Sequence, residues 1–162
     1  MTNLSAPGDP APGFELPNQH GELINLNALR GTAVVLVFYP FAFSRVCTGE
    51  LDELQQNLQE FRSRSARVLA MSIDHRYALR TYAEQRGYRF DLLSDFWPHG
   101  AVAERYGVLD SSNGHARRST FFIDPAGILT SRVDAPLGQR RPFEGYRAAL
   151  LDLPGQTAAS PR

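Results

Sequence analysis

The chain has 162 residues, a length typical of one compact domain. Because 43% of the residues are hydrophobic, the chain can bury a substantial core, which excludes intrinsic disorder for its body. The 17 basic and 17 acidic residues cancel, so the net charge gives no sign of a nucleic-acid-binding or anionic-membrane surface.

Two residue types restrict the chemistry further. All of the basic residues are arginine, which excludes Schiff-base lysine catalysis and the phosphate-binding lysine of the Walker A motif. Cys47 is the only cysteine, which excludes an intramolecular disulfide, a CxxC redox pair and a multi-cysteine zinc site. By composition alone, a lone free cysteine is ordinarily a small buried hydrophobic residue.

The N-terminal segment gives no targeting signal. Residues 1–17 are rich in Pro and Gly and lack the apolar stretch of a signal peptide. The longest apolar run, residues 33–43, is far shorter than the ~20 residues that span a bilayer. We expect a cytoplasmic protein without a membrane segment, one domain over residues 1–154 and a flexible tail over residues 155–162.

The first half of the chain reads as a hairpin, a buried strand and a helix. Residues 14–16 and 22–25 flank the turn-forming sequence PNQHG and predict a small β-hairpin. Residues 33–39 form a continuous run of β-branched and aromatic residues, typical of a strand covered on both faces. Residues 50–64 carry apolar residues at spacings of three and four, which predicts a helix with acidic residues in its first turn.

The second half continues the alternation of strands and helices. We predict strands over residues 67–73, 120–124 and 128–133, the last two joined by a Pro-Ala-Gly turn, and a short segment at residues 92–93. We predict helices over residues 77–86, 101–106 and 143–151. The fold class is therefore α/β, with a mixed central β-sheet flanked by helices and an N-terminal hairpin.

The position of Cys47 argues against an inert role. The cysteine follows the buried strand and lies at or near the start of the next helix. Ligands of open α/β sheets bind beyond the C-terminal ends of the strands. Unpaired N–H groups and the positive end of the helix dipole favour the reactive thiolate form of a cysteine there. Ser44 adds a hydroxyl three residues earlier, and a nearby arginine would add positive charge.

Several segments carry a family resemblance. The sequence PFAFSRVCTGE, residues 40–50, resembles the active-site loop of peroxiredoxins, with Pro-x-x-x-Thr/Ser-x-x-Cys and a Glu three residues later. The sequence RSTFFID, residues 118–124, resembles the strand that carries the family's essential arginine. Residues 94–108 are most similar to the one-cysteine alkyl hydroperoxide reductase E type, and the likeness covers about residues 5–150.

The resemblance implies a thioredoxin-like fold and the reduction of peroxides without a metal or organic cofactor. Cys47 would be the peroxidatic nucleophile, Arg118 would hydrogen-bond the thiolate and the peroxide, and Ser44 would donate to the peroxide. Pro40 would shield the thiol from water, and Glu50 would orient an arginine. Serine replaces the commoner threonine at position 44 and loses the methyl group that stiffens the rotamer. Because serine keeps the hydroxyl, we expect activity to survive.

Each of these residues also has a simpler interpretation. Ser44 is also typical of a turn, Pro40 of a strand end and Glu50 of a helix N-terminus. Neighbouring residues of a strand point to opposite faces, so only one of Arg117 and Arg118 can face the cysteine, and register with the motif favours Arg118.

Aromatic and histidine residues are less decisive. We expect Trp97 to line a groove for the substrate or the reductant, or else to have a plain packing role. Phe43, with Phe41, would form an apolar collar that favours lipid-like hydroperoxides, or a dimer contact. The four histidines have no metal-binding spacing, so we expect them at the surface or in turns.

The single cysteine also determines which partners are expected. Without a second cysteine, an external thiol must reduce the sulfenic acid. The resemblance implies mycothiol with a mycoredoxin, leaves thioredoxin and glutathione open, and suggests a homodimer. Two alternatives remain: a peroxide sensor that passes its oxidation to a partner protein, and a noncatalytic thioredoxin-fold binding module.

Overall fold

A mixed five-stranded sheet lies at the centre of the computed structural model, which describes residues 5–154. The strands of this part of the chain are β1 (Glu15–Pro17), β2 (Leu23–Asn25), β3 (Ala33–Phe38), β4 (Ala66–Ser72), β5 (Asp91–Ser94), β6 (Leu109–Asp110), β7 (His115–Ala116), β8 (Arg118–Ile123) and β9 (Leu129–Ala135). The sheet has the order β5-β4-β3-β8-β9. The predicted tail, residues 155–162, lies outside the described residues, and the single-domain assignment stays a prediction.

The central strand β3 has every residue buried, as its continuous apolar sequence predicts. It pairs in parallel with β4 and antiparallel with β8, and β4 pairs in parallel with β5. The Pro-Ala-Gly turn joins β8 to β9 as an antiparallel pair. The predicted mixed sheet is confirmed, and so is the N-terminal hairpin, in which β1 pairs antiparallel with β2.

Helices cover both faces of the sheet. They are α1 (Arg45–Gln56), α2 (Leu58–Arg62), α3 (Arg76–Arg86), α4 (Ala101–Arg105) and α5 (Phe143–Asp152). Apolar residues of α1, α2, α3 and α5 pack with one face of the sheet, while α4 and the β1–β2 hairpin pack on the other. Within the described residues, no helix has the length and apolar character needed to cross a bilayer.

The helix predicted over residues 50–64 was wrong in its bounds. The helix begins at Arg45, and a break at Asn57 separates α1 from α2. The apolar stripe used for the prediction starts only at Leu51, so it gives no sign of the turn over residues 45–48. The first turn contains no acidic residue, because Glu50 lies one turn further along. At the break, the Asn57 side-chain amide donates to the Glu53 carbonyl at 3.0 Å.

Both edges of the sheet are partly covered by other segments. At the β5 edge, the Gln19 side chain donates to the Phe90 carbonyl at 3.1 Å and accepts from the Leu92 N–H at 2.8 Å. At the other edge, the Gly8 N–H donates to the Leu129 carbonyl at 2.8 Å, and the Leu129 N–H donates to Asp9 at 2.9 Å. These bonds satisfy backbone groups that a free edge leaves open.

Candidate active site

Cys47 lies at the C-terminal end of β3, where the strand turns into α1. The Tyr39 N–H donates to the Met71 carbonyl at 3.0 Å, and Pro40, which has no N–H, follows directly. The first bond of α1 runs from the Thr48 N–H to the Ser44 carbonyl at 2.9 Å. Cys47 is therefore in the first helical turn, where N–H groups lack helical acceptors, and its residue exposure is 0%.

Arg118 approaches the cysteine from the neighbouring strand. The register of β3 and β8 pairs Phe38 with Ser119, so Arg118 lies beside the end of β3. Its Nη1 lies 3.2 Å from Cys47 Sγ, and its Nε donates to the Leu137 carbonyl at 2.6 Å. Arg118 is buried, whereas Arg117 is exposed, as strand alternation predicts.

Glu50 joins Arg118 to a second buried arginine. Its Oε1 accepts from Arg118 Nη1 at 2.8 Å and from Arg141 Nη2 at 2.7 Å. Its Oε2 accepts from the Arg141 N–H at 2.7 Å and from Arg141 Nε at 2.9 Å. Burial raises the pKa of the Glu50 carboxyl, but the bonds and charge of Arg141 and the charge of Arg118 outweigh it, so this pKa is lowered.

The charges of this cluster do not cancel without the sulfur. Two guanidinium groups face one carboxylate, all three side chains being at most 4% exposed. A thiolate at Cys47 brings the net charge of the buried group to zero. Because isolated charge is costly in an apolar interior, the excess positive charge of the cluster suits an anionic group at this place.

The loop before α1 holds the other predicted residues. Pro40 is buried at its start, and Ser44 occupies the N-cap position of α1. The Ser44 hydroxyl donates to the Phe41 carbonyl at 3.0 Å, within the loop, and not to the thiol. Phe43 has a φ of 70°, in the left-handed region that residues other than glycine rarely adopt.

Comparison with known proteins identifies the family. Residues 7–132 match the AhpC/TSA family. Alkyl hydroperoxide reductase E of Mycobacterium tuberculosis (strain ATCC 25618 / H37Rv) is 45% identical over 147 residues, which cover 90% of this chain and 96% of that protein. Peroxiredoxin Bcp of Escherichia coli (strain K12) is 35% identical over 140 residues, covering 83% of this chain and 88% of that protein. The chain is a peroxiredoxin of the AhpC/TSA family.

Solved structures confirm the thioredoxin-like fold of this peroxiredoxin. The crystal structure of Enterococcus faecalis AhpC matches with a TM-score of 0.83 at 26% identity, covering 91% of this chain and 92% of that one. Peroxidoxin BcpB from Mycobacterium tuberculosis matches with a TM-score of 0.80 at 29% identity, covering 96% and 99%. The protein is an enzyme, and its relatives and single cysteine make it a one-cysteine peroxidase.

The remaining predicted residues of this peroxiredoxin differ in their exposure and contacts. Trp97 is 77% exposed in the segment between β5 and α4, and no ring contact or hydrogen bond in the described part of the chain joins it to the cysteine loop. Phe43 is 53% exposed, with its ring centroid 4.8 Å from that of Tyr82. The expectation of surface or turn positions was wrong for His115, which is 5% exposed and packs against Phe41 with ring centroids 5.1 Å apart.

Arg141 is the residue of the buried cluster that sequence reasoning missed. It donates to both oxygens of Glu50, to the Phe38 carbonyl at 2.6 Å and to the Thr120 hydroxyl at 3.1 Å. It lies in an irregular segment before α5, without the periodic pattern that marks a buried position. The one available signal is Glu50 itself, since a buried carboxylate requires cationic partners.

Proposed function

We propose that the protein reduces hydrogen peroxide and organic hydroperoxides at Cys47. The observation that carries this proposal is the 3.2 Å contact of Arg118 Nη1 with a fully buried Cys47 Sγ. The thiolate attacks one peroxide oxygen, a sulfur–oxygen bond forms and the O–O bond breaks. The sulfur is oxidised to a sulfenic acid, and the other oxygen leaves as water or an alcohol after taking a proton.

The neighbouring groups act on the charge that develops in this displacement. Arg118 holds the thiolate and stabilises the negative charge that moves onto the peroxide oxygens. Glu50 fixes the orientation of Arg118 without touching substrate. Pro40, which has no N–H, shields the sulfur from water.

The contribution of Ser44 follows from its hydrogen bond. A hydroxyl has one proton to donate and two lone pairs that accept. The donor of Ser44 is used by the Phe41 carbonyl. We therefore assign the Ser44 oxygen the part of an acceptor for the O–H of the peroxide, in place of the donor that the resemblance implied.

An external thiol completes the cycle. Its sulfur attacks the sulfenic acid, which releases water and leaves a mixed disulfide, and a second thiol then frees Cys47 as a thiol. We propose mycothiol with a mycoredoxin, or thioredoxin, as the reductant, because the chain has one cysteine and is similar to alkyl hydroperoxide reductase E. The cytoplasmic location and the homodimer stay predictions. The exposed aromatic rings of Phe41 and Phe43 support the homodimer.

Mass spectrometry and stopped-flow kinetics test the proposal together. One equivalent of hydrogen peroxide is expected to add one oxygen at Cys47, and a candidate thiol added next to convert this product into a mixed disulfide. Cys47→Ser is expected to abolish peroxide consumption. Undiminished consumption by that variant would refute the assignment of Cys47 as the nucleophile.

A further inference from the structure

Asp74 connects the cysteine loop to the end of a neighbouring strand. It lies two residues after β4, and its Oδ2 accepts the Ala42 N–H at 2.8 Å and the Ser72 hydroxyl at 2.6 Å. Its carbonyl accepts the Ser94 hydroxyl at 2.7 Å. Ser72 is 1% and Ser94 4% exposed, so one buried hydroxyl at the end of β4 holds the carboxylate and another at the end of β5 holds the backbone of Asp74.

The bond to Ala42 reaches the middle of the loop that runs over residues 40–44. Next to Ala42, Phe43 has a φ of 70°, a conformation that persists only when the surrounding contacts impose it. Asp74 fixes the backbone before Phe43, and the bond from Ser44 to Phe41 closes the other side. A charged acceptor makes the Ala42 bond a strong one. Asp74 therefore imposes the shape of this loop from outside it.

Asp74 contacts none of the groups that react. The bonds of its side chain go to Ser72 and Ala42, whereas Cys47 is contacted by Arg118. Asp74 can thus affect the reaction only through the loop. We propose that Asp74 is a positioning residue that holds loop 40–44 closed over Cys47, and so sets the balance between oxidation by peroxide and reduction by a thiol.

The two half-reactions place opposite demands on the loop. A peroxide is small and reacts best when the groups around the sulfur are preorganised. A thiol reductant is larger, and the residue exposure of Cys47 is 0% with the loop closed, so thiol attack requires the loop to move. A weaker tether is therefore expected to slow oxidation and speed thiol access. This inference rests on the proposed peroxidase chemistry.

Asp74→Ala tests the inference through two rates measured on the full chain. Oxidation by hydrogen peroxide, followed as the loss of free thiol in samples quenched at successive times, is expected to slow about tenfold or more, within the loss typical of misplaced catalytic groups. The reaction of reduced Cys47 with Ellman's reagent, a bulky disulfide, is expected to speed several-fold. Asp74→Asn keeps one acceptor oxygen and is expected to shift both rates in the same directions by less.

Asp95→Ala is the matched control. Asp95 is a buried carboxyl whose oxygens accept the N–H groups of Val102 and Ala103 at 3.0 and 2.9 Å, at the start of α4. Its loss is expected to lower the melting temperature while leaving both rates near those of the wild type. The inference is overturned if both rates of the Asp74 variants move in one direction, or if they follow the Asp95 variant.

The outcomes distinguish a failure of this inference from a failure of the proposed peroxidase function. If wild-type protein does not react with peroxide, the peroxidase proposal fails whatever the variants do. If the wild type reacts and Asp74→Ala matches it in both rates, only the assignment of Asp74 fails. Should Asp74→Ala not fold, Asp74→Asn decides on the same two rates, and unchanged rates in it refute the proposal.

Discussion

At the scale of single residues, the buried charges beside Cys47 are organised around Glu50. One carboxylate accepts hydrogen bonds from Arg118 and Arg141, and its side chain is 4% exposed. Removing one partner of a buried ion pair leaves the other charge uncompensated. Glu50 thus supports both the fold and the position of the Arg118 guanidinium next to the sulfur.

Arg118 and Arg117 form a matched pair for testing electrostatic catalysis. Arg118→Ala is expected to slow the oxidation of Cys47 by about 100-fold or more, the loss typical of removing a donor that faces developing charge. Arg117→Ala is expected to change the rate little, because that side chain is exposed. Stopped-flow oxidation by hydrogen peroxide gives both rates. Equal losses in the two variants would contradict the assignment.

Glu50 also makes stability depend on pH. Its folded-state pKa is lowered, so its contribution to the free energy of unfolding is complete above the unfolded pKa of about 4.3. The contribution is lost as the pH falls through the lowered folded value. Glu50→Gln is expected to lower the free energy of unfolding by about 3–5 kcal/mol at neutral pH. This difference from the wild type is expected to shrink as the pH falls below about 4.3.

Urea denaturation at neutral and acidic pH measures the effect of Glu50. Glu84→Gln is the control, because Glu84 pairs with Arg80 on the exposed surface of α3, with both side chains more than 60% exposed. Glu84→Gln is expected to lower the free energy of unfolding by less than about 1 kcal/mol. A Glu50→Gln deficit that does not change with pH would refute the argument.

The residues of the site differ in how far the sequence could predict them. Strand alternation and the motif together point to Arg118 rather than Arg117, and in the structure it is Arg118 that contacts the sulfur. Arg141 reaches Glu50 across a sequence separation of 91 residues from a segment without regular structure. Local patterns carry no information about such a contact, because it depends on how distant segments pack.

At the scale of elements, regular structure was predicted where apolar periodicity is strong. The strands β3 and β4 and the helix α3 lie within one residue of their predicted bounds at both ends. The predicted bounds left out the first turn of α1, and the two-residue strands β6 and β7 were missed, because such short segments depend on tertiary contacts and show no periodicity. Cys47 nevertheless lies at the helix start, where its place in the sequence predicts it.

The C-terminal end of α3 allows a test of whether the helix end requires a glycine. Gly87 follows α3 with a φ of 74°, and a Cβ there meets no atom within 4 Å. Gly87→Ala is expected to lower the free energy of unfolding by about 1–2 kcal/mol, because a left-handed backbone is costly for any residue with a Cβ.

Gly138→Ala is the matched control for Gly87. A Cβ at Gly138 also meets open space, and the backbone of Gly138 is not in the left-handed region. Its substitution is expected to leave stability unchanged or slightly higher, because alanine restricts the unfolded chain. Urea denaturation compares the two variants, and equal costs would show that the conformation of Gly87 is not what matters.

At the scale of the whole molecule, one chain carries one thiol, so its two-electron oxidation to a sulfenic acid reduces one molecule of peroxide. Without added thiol, the protein is expected to consume one equivalent of hydrogen peroxide per chain in a fast phase, after which excess peroxide only oxidises the sulfenic acid further to inactive sulfinic and sulfonic acids. Adding an external thiol is expected to restore turnover. Peroxide assays at several protein concentrations measure the stoichiometry. Continued turnover of purified protein without any thiol would contradict the proposed cycle.

The covered edges of the central sheet restrict how this molecule can associate. Gln19 occupies backbone groups beside β5, and the segment around Gly8 occupies those at the start of β9. Further along β9, Arg132 and Asp134 form an ion pair that puts charge on the edge strand. At these two places a partner that binds by adding a strand finds the backbone groups already paired. A second copy or a reductant can therefore add a strand at Leu92 or Leu129 only by displacing the segment that is bound there.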